Sequence, residues 1–280
     1  MITENRCARE LPQVMGIVNV TPDSFSDGGR WASTEGAIDQ AMRLVADGAD
    51  VLDIGGESTR PGAEPVGEVE EIERVAPVIA GIHARWGGAI SIDTMKPAVA
   101  RAAVAAGATM WNDVTALGHA PDSAAVAAEL ACDVVLMHMK GEPRTMQADP
   151  RYDDVVGEVR NYLRGRAEAA MAVGVARERI WLDPGIGFGK TLAHNMALTA
   201  RLDALIDLGF PVLYAASRKR TIQAIDSTAV DATDRLGGSL ALALEGARRG
   251  ARMVRVHDVR ETVQALKVQA ALMAAVTAAK

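Results

Sequence analysis

The 280-residue sequence is poor in cysteine, in aromatic residues and in positive charge. Its two cysteines, Cys7 and Cys132, are too few for a disulfide framework and have no partner at metal-ligand spacing. The formal net charge of -6 argues against a nucleic-acid-binding surface, which would need clustered lysine and arginine. An anionic ligand would therefore have to be bound by a local basic pocket.

Long apolar stretches are also missing. No segment has the length of a membrane-spanning helix, and the first residues lack the apolar stretch of a signal peptide. Hydrophobic residues make up 49% and charged residues 24% of the chain, without low-complexity tracts, which is typical of globular proteins. We expect a cytoplasmic protein without nucleic-acid or membrane partners. We also expect one domain over residues 1–280, with 1–12 as an N-terminal extension.

Eight short apolar segments alternate with helix-like patterns, which is typical of repeated βα units. The predicted strands cover residues 13–20, 51–56, 89–94, 109–114, 133–139, 180–185, 211–217 and 251–258. Eight such units predict an α/β fold, a single (β/α)8 TIM barrel, here with extended loops after strands 1 and 2. The alternative is a doubly wound open sheet, but the first turn, NVTPDSFSDGG, lacks its dinucleotide-binding fingerprint. Gly48, Gly107 and Gly250 precede strands and predict helix C-caps.

Polar side chains end nearly every predicted strand, where barrel enzymes have their active sites. They are Asn19, Asp53, Asp93, Asn112, Asp113, His138, Asp183, the Ser217-Arg218-Lys219 turn, Arg255 and His257. Any single Asp or Asn here could equally cap a helix or form a turn. Capping does not require Lys219, Arg255 and His257 at the same rim. Because Arg255 and His257 are two residues apart, both should leave the same face of their strand, toward the barrel mouth.

Carboxylates beside an amide suit a flat heterocycle with several N–H donors, such as an aminopyrimidinone. Asp183 could accept two N–H groups, Asn112 could accept and donate, and Lys219 could donate to a carbonyl. These residue types therefore predict a pocket for a small polar ring.

A basic group beside that pocket, formed by Arg60, Arg255 and His257 with Asn19 nearby, suits a phosphate-like anion. A Mg²⁺ ion held mainly by substrate phosphates and water needs only one or two protein oxygens, so a magnesium site is compatible with this composition.

The segment GIGFGKT, residues 185–191, resembles a phosphate-binding P-loop but has Pro184 where the pattern needs glycine. Our preferred interpretation is that its glycines let the backbone pass close to a flat ligand. Lys190 and Thr191 would then begin the next helix, and a phosphate role for Lys190 is the less favoured alternative.

Seven motifs together resemble the dihydropteroate synthase family of the folate pathway. In order from Asn19 to Val259 they are NVTPDSFSDGG, DIGGESTRPGA, SIDT, NDV, LDPGIGFGKT, ASRKR and VRVHDV. The resemblance implies a transferase that joins 6-hydroxymethyl-7,8-dihydropterin diphosphate to p-aminobenzoate with Mg²⁺. It also implies a homodimer and a target of sulfonamides, which resemble p-aminobenzoate.

The resemblance also implies roles for individual residues. Asp93, Asn112, Asp183 and Lys219 resemble the residues that hold the pterin, with Met137 packed against it, and Asn19 resembles the metal ligand. Arg255 and His257, with Arg60, resemble the pyrophosphate-binding group, and Thr59, Pro61, Phe25 and Phe188 resemble residues that border p-aminobenzoate. Asp93, Asp183, Lys219 and Arg255 would carry the catalysis.

Some positions depart from the family pattern. Arg220 follows Lys219 where many members have serine, TIQAIDS comes next, and NDVTAL replaces a more glycine-rich turn. The C-terminal helix, with Val263, Leu266, Val268 and Leu272, could form a dimer contact or simply belong to the outer helix layer. A pterin-dependent methyltransferase domain and a pterin-binding paralogue without turnover are the alternative functions.

Overall fold

Eight parallel strands line the centre of the molecule in a computed structural model that describes residues 11–20, 29–58, 64–142 and 145–278. The strands are β1 Gln13–Asn19, β2 Val51–Gly55, β3 Ala89–Asp93, β4 Met110–Asp113, β5 Asp133–Met137, β6 Ile180–Asp183, β7 Leu213–Tyr214 and β8 Met253–Val256. Their order is β6-β5-β4-β3-β2-β1-β8-β7, and a parallel bridge between Leu182 and Val212 joins its two ends. The predicted (β/α)8 barrel is confirmed, although every strand ends before its predicted end.

Helices alternate with the strands and form the outer layer. They are α1 Gly29–Ala46, α2 Glu68–Arg85, α3 Pro97–Ala105, α4 Ser123–Leu130, α5 Val155–Ala172, α6 Leu192–Ala200, α7 Asp203–Ile206, α8 Arg220–Ile225, α9 Leu236–Arg249 and α10 Val259–Ala278. Gly48, Gly107 and Gly250 adopt φ of +103°, +118° and +108° at the turns that precede β2, β4 and β8. The left-handed backbone expected after a helix is therefore confirmed at all three positions.

The buried apolar residues form two layers because successive side chains of a strand point to opposite faces. The inner layer fills the barrel with Met15, Val51, Met110, Val135, Leu213, Ala215 and Met253. The larger outer layer lies between the strands and the helices, and it contains Val254 and Val256, the residues that alternate with Arg255 along β8. Residues at the intervening positions of β8, including Arg255, therefore face the barrel interior.

The helix α10 has two kinds of apolar residue. Leu266 is buried and Val263 packs against the outer core, whereas Val268 and Leu272 are 55% and 64% exposed. Packing in the outer layer thus accounts for the first pair only. Among the described helices, none is long and apolar enough to cross a membrane. Cys132 is a free, buried thiol, and Cys7 lies outside the described residues.

Candidate active site

Arg255 stands at the centre of the barrel mouth between two carboxylates. Its Nε donates to Asp53 Oδ2 at 2.5 Å, and one Nη donates to Asp93 Oδ2 at 2.7 Å. Asn112 Nδ2 also donates to Asp53 Oδ2, at 3.3 Å. A guanidinium has five N–H groups, so these two ion pairs leave three N–H groups of Arg255 for other acceptors.

Asp53 is the functional residue that sequence reasoning undervalued. The sequence marks it as one of the polar strand ends without indicating a role for it. Asp53 is fully buried in the middle of β2, on the same face as Val51 of the inner layer. Burying a carboxylate at an inward position of a strand is costly unless it is paired. The spacing of two residues between Val51 and Asp53 was therefore the sequence signal that Asp53 has a charged partner inside the barrel.

Burial dominates the electrostatics of the mouth. It raises the pKa of Asp93, although the positive charge of Arg255 opposes the shift. It also raises the pKa of Asp183 to about 6, and the N–H of Gly185, which donates to Asp183 Oδ1 at 2.6 Å, opposes that shift. The carboxylates of Asp53 and Asp93 keep the pKa of Arg255 above its usual value against the effect of burial. Arg255 is therefore always charged, whereas Asp183 titrates near neutrality.

The opposite side of the mouth is formed by the ends of β5 and β6 and by the chain after β7. Met137 lies beside Asp183 in the strand register, and both are buried. Lys219 Nζ lies 4.2 Å from the centre of the Phe188 ring, a cation–π contact. The structure thus brings Asp93, Asn112, Met137, Asp183, Lys219, Phe188 and Arg255 to one end of the barrel, as predicted.

His257 requires a correction, because it was grouped with the basic residues. Burial and the adjacent positive charge of Arg255 lower the pKa of His257 to about 3, so its imidazole is neutral near pH 7. Its Nδ1 lies 3.0 Å from Ser217 Oγ, which also accepts the backbone N–H of His257 at 3.2 Å. His257 is thus a hydrogen-bonding group rather than a cation.

Two other polar strand ends point away from the mouth. Asp113 accepts the backbone N–H groups of Thr115 and Leu117 at 2.7 and 2.9 Å, so it stabilises the turn after β4. The His138 ring lies edge-on to Tyr162 on α5, with ring centres 5.0 Å apart. Each follows an inward residue, Asn112 or Met137, and the alternation of a strand turns it outward. Neither side chain therefore faces the mouth, and for Asp113 the alternative of a turn-forming residue holds.

The GIGFGKT segment packs against protein backbone. Gly185 and Gly189 have φ of +66° and +61°, and a Cβ at either would collide with the carbonyl of His138 or of Lys140. Close approach to the neighbouring loop therefore explains these glycines, instead of the predicted approach to a ligand. Thr191 caps α6 by accepting the N–H of His194 at 3.2 Å, as predicted.

The predicted metal ligand, Asn19, ends β1. A Cβ at Gly55 would lie 4.0 Å from Asn19 Oδ1 and 3.9 Å from Asp93 Oδ2, so both oxygens face the same small space. Within the described ranges, no group of three or more His, Cys, Asp or Glu side chains could hold a metal ion. An ion at Asn19 would therefore need most of its ligands from substrate and water, which suits Mg²⁺.

Phe25, Thr59, Arg60 and Pro61 lie outside the described residues. The chain on either side of residues 59–63 is fixed by a buried ionic cluster, Glu57–Lys96–Glu71. Lys96 Nζ donates to Glu57 Oε2 and, at 2.5 Å, to Glu71 Oε2, while Glu57 Oε1 accepts the N–H of Val66 at 3.3 Å. Sequence reasoning missed this cluster because its members come from three different loops and helices.

Comparison with known proteins assigns the family. The sequence profile described as pterin binding enzyme matches residues 15–257. Dihydropteroate synthase of Escherichia coli (strain K12) is 46% identical over 264 residues, which cover 94% of this chain and 93% of that protein. The chain belongs to the dihydropteroate synthases.

Solved structures of other dihydropteroate synthases have the same fold. The Xanthomonas albilineans enzyme with 4-aminobenzoic acid superimposes with a TM-score of 0.89 at 50% identity, covering 95% of this chain and 94% of that one. The enzyme of that organism in complex with 7,8-dihydropteroate gives a TM-score of 0.86 at 48% identity, covering 95% of each chain. As a dihydropteroate synthase, the protein is a transferase of folate synthesis, which decides against the methyltransferase alternative.

Proposed function

We propose that this dihydropteroate synthase joins 6-hydroxymethyl-7,8-dihydropterin diphosphate to p-aminobenzoate at the barrel mouth, and releases 7,8-dihydropteroate and pyrophosphate. The observation that carries the proposal is the pairing of a polar group, formed by the buried Asn112 and Asp183 and the half-buried Asp93, with the guanidinium of Arg255. The related enzyme of Xanthomonas albilineans binds 4-aminobenzoic acid and 7,8-dihydropteroate, which agrees with these substrates.

In this proposal Asp183 and Asn112 bind the edge of the pterin ring. Asp183 is 3% exposed and has one oxygen held by Gly185 N–H, so its orientation is set before a ligand enters. Its carboxylate form accepts the ring N–H groups, Asn112 accepts and donates, and Lys219 donates to the ring carbonyl. Met137 packs against the ring face.

The diphosphate lies against Arg255 and His257, with Arg60 from the second long loop. Arg255 offers the N–H groups that Asp53 and Asp93 leave unused. With the Ser217 hydroxyl as the donor to His257 Nδ1, 3.0 Å away, the imidazole proton is on Nε2, from where a neutral ring can donate to a phosphate oxygen. Asn19 supplies one oxygen for Mg²⁺, which would neutralise charge on the leaving pyrophosphate.

The reaction then relies on electrostatic stabilisation. The C–O bond to pyrophosphate breaks early, the carboxylates of Asp93 and Asp183 stabilise the electron-poor pterin, and Arg255 stabilises the departing anion. The amine of p-aminobenzoate is neutral at pH 7 and needs no strong base to attack. This second substrate is bordered by Thr59, Pro61, Phe25 and Phe188. Sulfonamides would compete with p-aminobenzoate for this position because they resemble it.

Two further parts of the proposal concern the whole protein. The exposed apolar residues of α10, Val268 and Leu272, support a homodimer contact on that helix. The composition supports a cytoplasmic location, and the single-domain organisation over residues 1–280 remains a prediction.

Pyrophosphate release from the pterin diphosphate tests the function directly, measured with and without p-aminobenzoate and with Mg²⁺ or with a chelator. Release that needs both p-aminobenzoate and Mg²⁺ is the expected result. Tight binding of the pterin diphosphate without release would instead identify a paralogue that lacks turnover.

A further inference from the structure

Lys190, the lysine of the GIGFGKT segment, points into the protein and is only 3% exposed. Its ammonium group contacts the backbone carbonyls of Phe188, Gly185 and His138 at 2.9, 3.0 and 3.1 Å. It also lies 2.9 Å from His138 Nδ1. Because an ammonium has only three N–H donors, these four neutral acceptors use all of them, and a role in phosphate binding is excluded.

This arrangement joins two neighbouring loops. His138 directly follows β5, whereas Gly185 and Phe188 belong to the chain after β6. Burial lowers the pKa of Lys190 to about 7, so holding a charge here is unfavourable, but an apolar side chain would leave the three buried carbonyls without this donor. The structural role of Lys190 is therefore to donate hydrogen bonds to these carbonyl groups.

One of those carbonyls belongs to a residue of the site. The Phe188 ring lies 4.2 Å from Lys219 Nζ. Lys190 Nζ donates to the backbone carbonyl of Phe188 at 2.9 Å, so the backbone and the ring of Phe188 are each held by a lysine. Asp183 is positioned by the sheet, where it pairs with Met137, and its carboxylate is held by Gly185 N–H, so Lys190 reaches it only through the Gly185 carbonyl and through charge. The Phe188 backbone is contacted by Lys190 directly.

We propose that Lys190 is a positioning residue for the p-aminobenzoate side of the site, acting by holding the backbone of Phe188 against the chain after β5. The proposal rests on the proposed function, in which Phe188 borders p-aminobenzoate. In this proposal the lysine of the GIGFGKT segment binds protein backbone instead of phosphate.

The first experiment compares Lys190→Met with Tyr152→Phe in steady-state kinetics for both substrates. Tyr152 is the matched control, because its hydroxyl donates to Gly189 O at 2.8 Å and so holds the same loop at a different carbonyl. Lys190→Met should raise the KM for p-aminobenzoate about tenfold and the KM for pterin diphosphate less than about threefold, since three carbonyls lose their donor. Tyr152→Phe should change both by less than about threefold.

A double-mutant cycle with Phe188→Ala tests whether Lys190 acts through Phe188. In the Phe188→Ala background, Lys190→Met should change the KM for p-aminobenzoate by less than about threefold. An equal rise of both KM values, no rise at all, or an equally large effect in both backgrounds would overturn the proposal.

Two controls keep the outcome interpretable. Should Lys190→Met fail to fold, Lys190→Gln keeps two N–H donors and carries the same test. Pyrophosphate release by the unmodified enzyme in the same assay distinguishes failure of this proposal from failure of the proposed function.

Discussion

The two ends of the barrel interior differ in polarity, and the change occurs between one inward residue of a strand and the next. At the N-terminal end the inward residues are apolar, as with Val51, Met110 and Met253. Two residues further along the same strands, the inward positions are Asp53, Asn112 and Arg255. The strand alternation places each of these polar residues directly above an apolar one.

The difference shows how one fold separates stability from chemistry. The apolar layer removes surface from water and needs no partner, so it stabilises the barrel without contributing to the reaction. The polar layer is costly to bury, and Asp183 and Asp93 show that cost in their raised pKa values. We therefore expect substitutions in the upper layer to affect activity, and those in the lower layer to affect stability.

The largest expected effect is that of Asp183→Ala on activity. The substitution would leave the N–H groups of the bound pterin unpaired in a buried pocket, which should lower kcat/KM by about 10⁴-fold. Steady-state kinetics with both substrates would measure it, and circular dichroism would check that the variant is folded. A loss of less than about tenfold would remove Asp183 from the site.

Met110→Ala should lower the stability of the protein and leave its activity almost unchanged. Met110 is 3% exposed in the inner apolar layer, so truncation leaves a cavity and should lower the free energy of unfolding by about 2–5 kcal/mol. Urea denaturation would measure this loss. At a temperature where the variant is folded, its kcat/KM should stay within about twofold of the unmodified enzyme. A strong loss of activity without a loss of stability would contradict the separation of the two layers.

A smaller effect is expected for Asp183→Asn on the pH dependence of stability. The pKa of Asp183 is raised from 3.8 to about 6 by burial, so the group favours the folded state at low pH, and this contribution is lost as the pH rises through 6. An asparagine does not titrate and keeps an acceptor for Gly185 N–H. Asp183→Asn should therefore gain stability relative to the unmodified protein, by about 1–3 kcal/mol between about pH 4 and pH 8.

The difference between the two proteins, rather than either curve alone, is the quantity to measure. His138 and His257 have pKa values lowered to about 3, so their neutral burial favours folding above the usual histidine pKa, and stability is lost as the pH falls toward 3. That opposite change occurs in both proteins and cancels in the difference. A difference that stays constant across this range of pH would show that Asp183 does not titrate as proposed.

The strand positions and the inward direction of Arg255 followed from the sequence because both depend on local periodicity. The same periodicity turns Asp113 and His138 outward, because each directly follows an inward residue, whereas polarity alone does not distinguish them from residues of the mouth. The neutral state of His257 could not be predicted, since it depends on burial and on Arg255, which only the folded chain brings together with Ser217.

Contacts between loops that are distant in the sequence could not be predicted either. Lys190 contacts a carbonyl 52 residues away, and Lys96 meets carboxylates 39 and 25 residues away. No local pattern encodes such pairs. The GIGFGKT glycines were predicted to approach a ligand for the same reason, because the backbone of His138 and Lys140 that they approach belongs to another loop.

The Glu57–Lys96–Glu71 cluster has a consequence for protein engineering. Near the two ends of the loop between β2 and α2, the Glu57 carboxylate accepts the N–H of Val66, and Lys96 joins that carboxylate to Glu71 on α2. The entropy of closing a loop grows only slowly with its length, so fixed ends make the intervening chain exchangeable. Residues 58–65 could therefore be replaced by the corresponding segment of another synthase as a single cassette, provided that Glu57 and Lys96 are retained.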